Sequence, residues 1–307
     1  MEAGLISSAR DAFHRNLTEG PLSIYTATID KGKKNQRREQ VASNADISQK
    51  TSRDVAMLIA HALNAPRVEK GPGQTAGRLF EAAVSDFLAV TMPGMSAVRP
   101  GVWRVENVGG SRQVDHIARY HPYRHLDDLA RAVEDDPTLQ SILGNSYAVS
   151  PDVLVLREAE TDEAINSNQL VVDTRSALLS PFRADNAELR GENQVKVPTF
   201  VHAVVSCKWT MRSDRSQNSR SEALNRIRNR KGRTPHIVAV TAEPSMSRIA
   251  SLALGTGDID VLYHAALPEL VDAVRQVGND ESLDMLEILM IGDRLRDIAD
   301  LPVDLAV

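Results

Sequence analysis

Four runs in the second half of the chain are too apolar to be left in water. They are VLVL at 153–156, FVHAVVSCKWTM at 200–211, HIVAVTAE at 236–243 and IDVLYH at 259–264. Their lengths and their Val and Ile content predict strands, and the run at 236–243 reads as a buried one. Helical patterns separate and follow them at 219–229, 247–254 and over most of 268–298, with Ala223, Leu224 and Ile227 turned toward the core. Strands that alternate with helices require a mixed α/β sheet with helices packed on its faces. The first half adds helices at 53–64, 75–90 and 125–134, with a GPGQ turn at 71–74 ahead of the second. In that helix the apolar positions 79, 80, 83, 84, 87 and 88 form one face. The polar stretches 158–168 and 181–197 read as loops. KGKKNQRRE at 31–39 is too polar to pack and is expected to be a mobile basic loop or arm. There is no internal repeat and no linker, so the 307 residues are expected to form one domain.

Composition removes several classes of function. With 42% hydrophobic and 25% charged residues, whole-chain disorder is excluded. The single cysteine, Cys207, cannot form an intrachain disulfide, which suits a reducing compartment. No run reaches the ~18 apolar residues of a membrane span. The first twenty residues lack the apolar core and cleavage pattern of a secretory signal. A cytoplasmic location is expected. The net charge of −5 argues against a polyanionic partner, but its distribution argues the other way. Between Lys208 and Arg233 nine Lys and Arg face only Asp214 and Glu222. A local field of one sign steers a polyanion whatever the total charge.

The basic run begins at a chemically suggestive place. Pro151-Asp152 opens one predicted strand, and Ser206-Cys207-Lys208 lies in another. Side chains alternate along a strand, so Ser206 and Lys208 share a face and Cys207 points away. If the two strands are neighbours, Asp152 and Lys208 converge. Carboxylates plus a lysine are what metal-assisted phosphodiester hydrolysis needs: the carboxylates hold magnesium, and the lysine orients water and adds positive charge. The usual spacing is carboxylate-x-lysine, and here that carboxylate slot holds Ser206, so a second carboxylate must come from elsewhere. Glu222, in the following predicted helix, is a candidate. On this pattern alone the bland reading stays open: Asp152 as a turn cap, Lys208 as a surface charge, Glu222 as the partner of a nearby arginine.

The block SCKWTMRSDRSQNSRSEALNRIRNRKGRTPHIVAVTAEPSMSRIASLALGTGDIDVLYH resembles the NgoMIV-like type II restriction endonucleases, in the CCGG-reading branch of the PD-(D/E)XK nucleases. VASNADIS at 41–48, PGQTAGRLFEA at 72–82, RPGVW at 99–103, SPD at 150–152 and DLPVDLAV at the end extend the likeness, in the same order, over nearly the whole chain. The resemblance implies a restriction-endonuclease-like mixed central sheet flanked by helices. It implies Asp152 as the metal-binding aspartate, Lys208 as the catalytic lysine, Glu222 as the displaced carboxylate and Glu81 as a further active-site glutamate. The backbone carbonyl of Cys207 would be a metal ligand. Two magnesium ions per site, cleavage of both strands, a homotetramer on two DNA copies and a cognate DNA methyltransferase as functional partner are implied in the same way.

Sequence readout follows from chemistry as well as from resemblance. Arg212, Asp214 and Arg215 form R-x-D-R directly after the Lys208 strand. Arginine donates two hydrogen bonds to guanine O6 and N7, and aspartate accepts from cytosine N4. The resemblance assigns this unit to the central CCGG, Arg248 to the outer guanine, Asp46 to the outer cytosine and Gln74 to the minor groove. The expected site is GCCGGC, cut to leave a four-base 5′ overhang. Two other functions compete: a structure-specific repair nuclease of the same superfamily, and a DNA-binding module without catalysis. The R-x-D-R unit speaks against the first and the Asp152/Lys208/Glu222 set against the second. His116, His121 and His125 cluster in sequence, but the i, i+4 pair His121/His125 would need a third ligand and a helix that Pro122 disrupts, and GTGD at 255–258 lacks a phosphate-loop lysine, so neither is expected to be a site.

Overall fold

The apolar runs at 153–156 and 200–211 pair with each other inside a six-stranded sheet. The computed structural model describes residues 3–30, 36–69, 71, 75–109, 115–135, 151–186, 199–211, 227, 229–254 and 258–307. Among these, β1 (Ile24–Asp30) and β2 (Gln36–Ala42) form an antiparallel hairpin. The central sheet runs β3 (Trp103–Asn107), β4 (Val153–Glu158), β5 (Thr199–Lys208), β6 (His236–Thr241), β7 (Leu262–His264) and β8 (Leu295–Asp297), in that spatial order. β3, β4 and β5 are mutually antiparallel, whereas β5 through β8 are parallel. β5 is where the pairing changes sense.

Both faces of β4 and β5 are covered, which is why their sequences show no alternation with polar residues. On one face, α1 (Leu5–Glu19) and α3 (Ala76–Thr91) pack Phe13, Leu17, Phe80, Val84 and Leu88 against Val153, Val155, Ala203 and Val205. On the other, Tyr123, just ahead of α4 (His125–Asp135), and Leu126, in its first turn, meet Leu154, Leu156, Val201 and Val204. The pairing slips by one residue at His202: Val155 faces Ala203 but Leu156 faces Val201. That bulge lets Val201 and Val204, three apart, share a face. Further along the sheet, α2 (Lys50–Ala62), α5 (Met246–Ala253), α6 (Leu267–Val277) and α7 (Asp280–Ile291) surround Ile237, Ala239 and Leu262.

A part-buried arginine joins the first helix to the last strand. Arg10 places Nη2 2.7 Å from Glu269 and Nε 2.9 Å from Asp297. Asp297 also accepts the Leu267 N–H at 2.9 Å, starting α6. Burial works against the charged form of Asp297, but its hydrogen bonds, led by that from Arg10, prevail and hold the carboxyl below its usual range.

Several expectations need correction. Residues 36–39 are not a loop or arm but part of β2, while 31–35 lie outside the described residues. Polar residues are tolerated there because the hairpin needs only Ala27, Ile29 and Val41 as its own small core, leaving Arg37 and Arg38 in water. The helical stretch 268–298 is two helices and a strand. Gly278 takes a left-handed φ of 66°, Asn279 caps α7 by accepting the Ser282 N–H, and β8 follows. Leu79 lies 43% exposed on α3 instead of on its buried face. α1, β1 and β3 were not anticipated; among the described residues β3 pairs only with β4, at the sheet edge, and its sequence, WRVEN, carries little apolar signal. Of the predicted helix at 219–229, Ile227 is described and packs on the α5 side, while Ala223 and Leu224 lie outside the described residues.

Phe80 is fully buried, with ring centroids 6.4 Å from Phe13 and 5.4 Å from Trp209. It seats α3 on the end of β5. Phe80→Ala is expected to lower unfolding free energy by about 3–5 kcal/mol, read by chemical denaturation.

Candidate active site

Antiparallel pairing brings the start of β4 beside the end of β5. Val153 faces Val205, so Asp152 falls next to Ser206-Cys207-Lys208. The Asp152 carboxylate takes over where the backbone ladder stops. Its Oδ2 accepts the Cys207 N–H at 2.7 Å and lies 3.5 Å from Lys208 Nζ. Its carbonyl accepts the Val108 N–H at 2.9 Å, so both ends of the residue are held. Asp152 and Lys208 each keep about a fifth of their side-chain surface exposed.

α3 supplies a second carboxylate. Burial and the charge of Asp152 push the Glu81 carboxyl up to about 7, against the opposing pull of Lys208 and Arg78. A carboxyl raised by burial and by a neighbouring carboxylate is a donor that a hard divalent cation would relieve. Among the described residues no group of three or more His, Cys, Asp or Glu side chains could hold a metal. Further donors would have to be backbone carbonyls or residues outside those described. The Cys207 side chain is buried in the apolar core beside α3, and burial pushes its thiol well up. It is a protonated core residue, which leaves only its backbone facing the chemistry. Ser206 is buried, at 5% exposure.

A second polar group forms across the C-terminal ends of β5 and β6. Arg248, in the first turn of α5, ion-pairs with Asp46. Asp46 lies in a loop pinned from below: its N–H donates to Ser52 Oγ at 2.9 Å, and Arg53 donates to the Ile47 carbonyl at 2.5 Å. Burial opposes ionisation of Asp46, but hydrogen bonds from Ser48 and Arg248 outweigh it and hold the carboxyl below its usual range. The structure thus brings together Asp152, Lys208 and Glu81, and separately Asp46 with Arg248. Glu222, Arg212, Asp214, Arg215 and Gln74 lie outside the described residues.

Sequence reasoning missed Glu243. It is fully buried, and its one visible signal is an acid closing an otherwise apolar run just before Pro244. Of the discounted histidines, His121 packs its ring 5.2 Å from that of Phe200.

The match to known proteins is extensive. The model of the NgoMIV restriction enzyme family covers residues 24–307. The type II restriction enzyme NgoMIV of Neisseria gonorrhoeae is 44% identical over 304 residues, 99% of each chain. This chain belongs to the NgoMIV restriction enzyme family. As a member it is a type II restriction endonuclease, and Asp152, Lys208 and Glu81 lie within the matched span. A solved complex of restriction endonuclease PspGI with substrate DNA covers 84% of this chain and 92% of that one, at 12% identity and a TM-score of 0.23, too remote to bear on the fold. Among the described residues no helix is long and apolar enough to cross a membrane.

A glutamate whose folded pKa is raised binds its proton more tightly folded than unfolded. Its favourable contribution is complete below the unfolded value and is lost as pH rises through the folded one. Glu81→Gln is therefore expected to stabilise the metal-free protein relative to wild type at pH 8 and not at pH 4. The gain is about 1 kcal/mol once solvent screening of a half-exposed group is allowed for. Melting in the presence of a chelator measures it; an equal difference at both pH values would count against the raised carboxyl.

Proposed function

We propose that the chain is a single endonuclease domain that hydrolyses both strands of double-stranded DNA at GCCGGC, using magnesium, and leaves four-base 5′ overhangs. The observation that carries this reading is the convergence of Asp152 and Lys208, with Glu81 close by, in a chain 44% identical to the type II restriction enzyme NgoMIV. Asp152, Glu222 and the Cys207 carbonyl would hold two magnesium ions, with Glu81 beside them. Bound there, magnesium supplies Lewis-acid neutralisation of the phosphoryl charge. Lys208 points its ammonium at the same carboxylate and orients the attacking water. Ser206 stands at the sequence position of the usual carboxylate without its charge, so the second carboxylate of this reading is Glu222.

Readout falls to the polar group beyond the strand ends. Arg212, Asp214 and Arg215 read the inner CCGG, and Arg248 with Asp46 reads the outer pair. Gln74 approaches the minor groove. The Asp46–Arg248 ion pair supports the outer assignment, because a donor and an acceptor already side by side match the guanine and cytosine edges of one base pair. A homotetramer on two DNA sites, a cognate methyltransferase that protects host DNA and a cytoplasmic location complete the reading.

The test is digestion of a plasmid carrying GCCGGC in magnesium, with the fragment ends sequenced. Discrete fragments with four-base 5′ overhangs are expected; an intact plasmid with folded protein would refute the proposal. Asp152→Asn and Lys208→Ala are each expected to abolish cleavage while site-specific binding in calcium persists. Arg248→Ala is expected to weaken discrimination at the outer base pair by about 1–3 kcal/mol. Unchanged rates on all sites would remove Arg248 from the reading.

A further inference from the structure

Glu243 is 0% exposed, yet its carboxylate is bonded to the end of the β5 segment and to the start of the helix that carries Arg248. One carboxylate oxygen, Oε2, accepts the Met211 N–H at 2.6 Å. Met211 is the residue immediately before Arg212, so this bond anchors the root of the R-x-D-R unit. The other oxygen, Oε1, accepts the Ser245 N–H at 3.0 Å, at the N-cap of α5, the helix that carries Arg248. Arg248 Nη1 lies 3.8 Å from Oε2 while Nη2 engages Asp46.

The backbone of Glu243 is tied as firmly. Its N–H donates to Thr241 Oγ1 at 3.1 Å, and that hydroxyl donates to the Lys208 carbonyl at 2.8 Å. Its carbonyl meets His264 Nε2 at 3.2 Å. His264 Nδ1 accepts the Ala266 N–H, so Nε2 carries the proton and donates. Burial lowers the His264 pKa to about 4, which keeps that ring neutral and the arrangement intact.

A buried carboxylate is costly unless its hydrogen bonds are made, and removing it leaves the N–H groups it served without a partner. For Glu243 burial outweighs the bonds from Met211 and Ser245 and the charge of Arg248, and pushes the carboxyl up to about 7. Such a group is expensive to keep where a buried apolar residue would serve packing alone.

We propose that Glu243 is a positioning residue that fixes the outer reader Arg248 against Met211, at the end of the segment that continues β5. The inference rests on the reading of Arg248 as a base contact. Glu243 itself touches neither DNA nor metal. It acts through Met211, Ser245 and Arg248, so that the outer reader is held in one place relative to the chain that leaves Lys208.

The experiment compares cleavage of duplexes carrying GCCGGC and ACCGGT by wild type and Glu243→Gln in magnesium. An amide presents one acceptor where the carboxylate presents two, so one of the two N–H groups loses its partner. The ratio of the two rates is expected to fall about tenfold in Glu243→Gln, the order of one bidentate base contact. A merely structural role would lower the active fraction equally on both duplexes and leave the ratio unmoved. In the Arg248→Ala background Glu243→Gln is expected to cause no further fall in the ratio, because the strut then has no outer reader to place.

Folded Glu243→Gln with the wild-type ratio overturns the inference while leaving Arg248 as a reader. Should Glu243→Gln not fold, Glu243→Asp replaces it. That variant keeps charge and lone pairs but draws the carboxylate back by one methylene; the same fall supports the role, and an unmoved ratio overturns it. A wild-type enzyme that cuts both duplexes alike overturns the reading of the outer pair, and the strut falls with it.

Discussion

The hydrogen bond from the Cys207 N–H to the Asp152 carboxylate is the joint on which the proposed catalytic centre depends. It lies where the antiparallel β4–β5 ladder ends, so a side chain replaces the backbone acceptor that another residue of strand would have supplied. This keeps β5 in register to its last residue and holds Asp152 in place without occupying both of its oxygens. Lys208 reaches the same oxygen from the strand end. The position follows from the sheet: β4 begins where β5 finishes because the two run in opposite directions.

Behind that joint, β5 pairs with β6 in parallel, so their C-terminal ends emerge on the same edge. That shared edge is why the chemistry and the proposed readout are neighbours. Lys208 ends β5; Thr241 ends β6 and is bonded to the Lys208 carbonyl. From there the chain turns through Glu243 into the helix bearing Arg248. Asp46 arrives from the other end of the sequence, 202 residues away, carried in by the loop that follows the β1–β2 hairpin. Asn44 fastens that loop by donating to the Ala242 carbonyl at 2.8 Å.

Legibility in the sequence differed by residue for physical reasons. The buried strands were readable because a strand covered on both faces is built mainly of apolar residues, as VLVL and AVV are. The edge strand β3 and the hairpin strand β2 were not, because an edge exposed to water imposes no such rule. Asp152 and Lys208 could be singled out as carboxylate and lysine on separate strands, but their approach to 3.5 Å depends on which strands pair and in what register. Glu81 and the Asp46–Arg248 pair had no local signal at all; resemblance alone pointed to them. Glu243 was passed over because an acid at the end of an apolar run looks like the beginning of a loop.

The sequence by itself determined the chemical inventory and the fold class. Strand and helix patterns depend on short-range periodicity, and the family likeness spans the chain in order. Only the tertiary structure decided what each group faces. The raised carboxyl of Glu81, the neutral His264 and the burial of Glu243 follow from partners that lie far away in sequence. Coulombic and desolvation effects depend on distance in space, and distance in space is settled when the sheet closes, not when the residues are strung together.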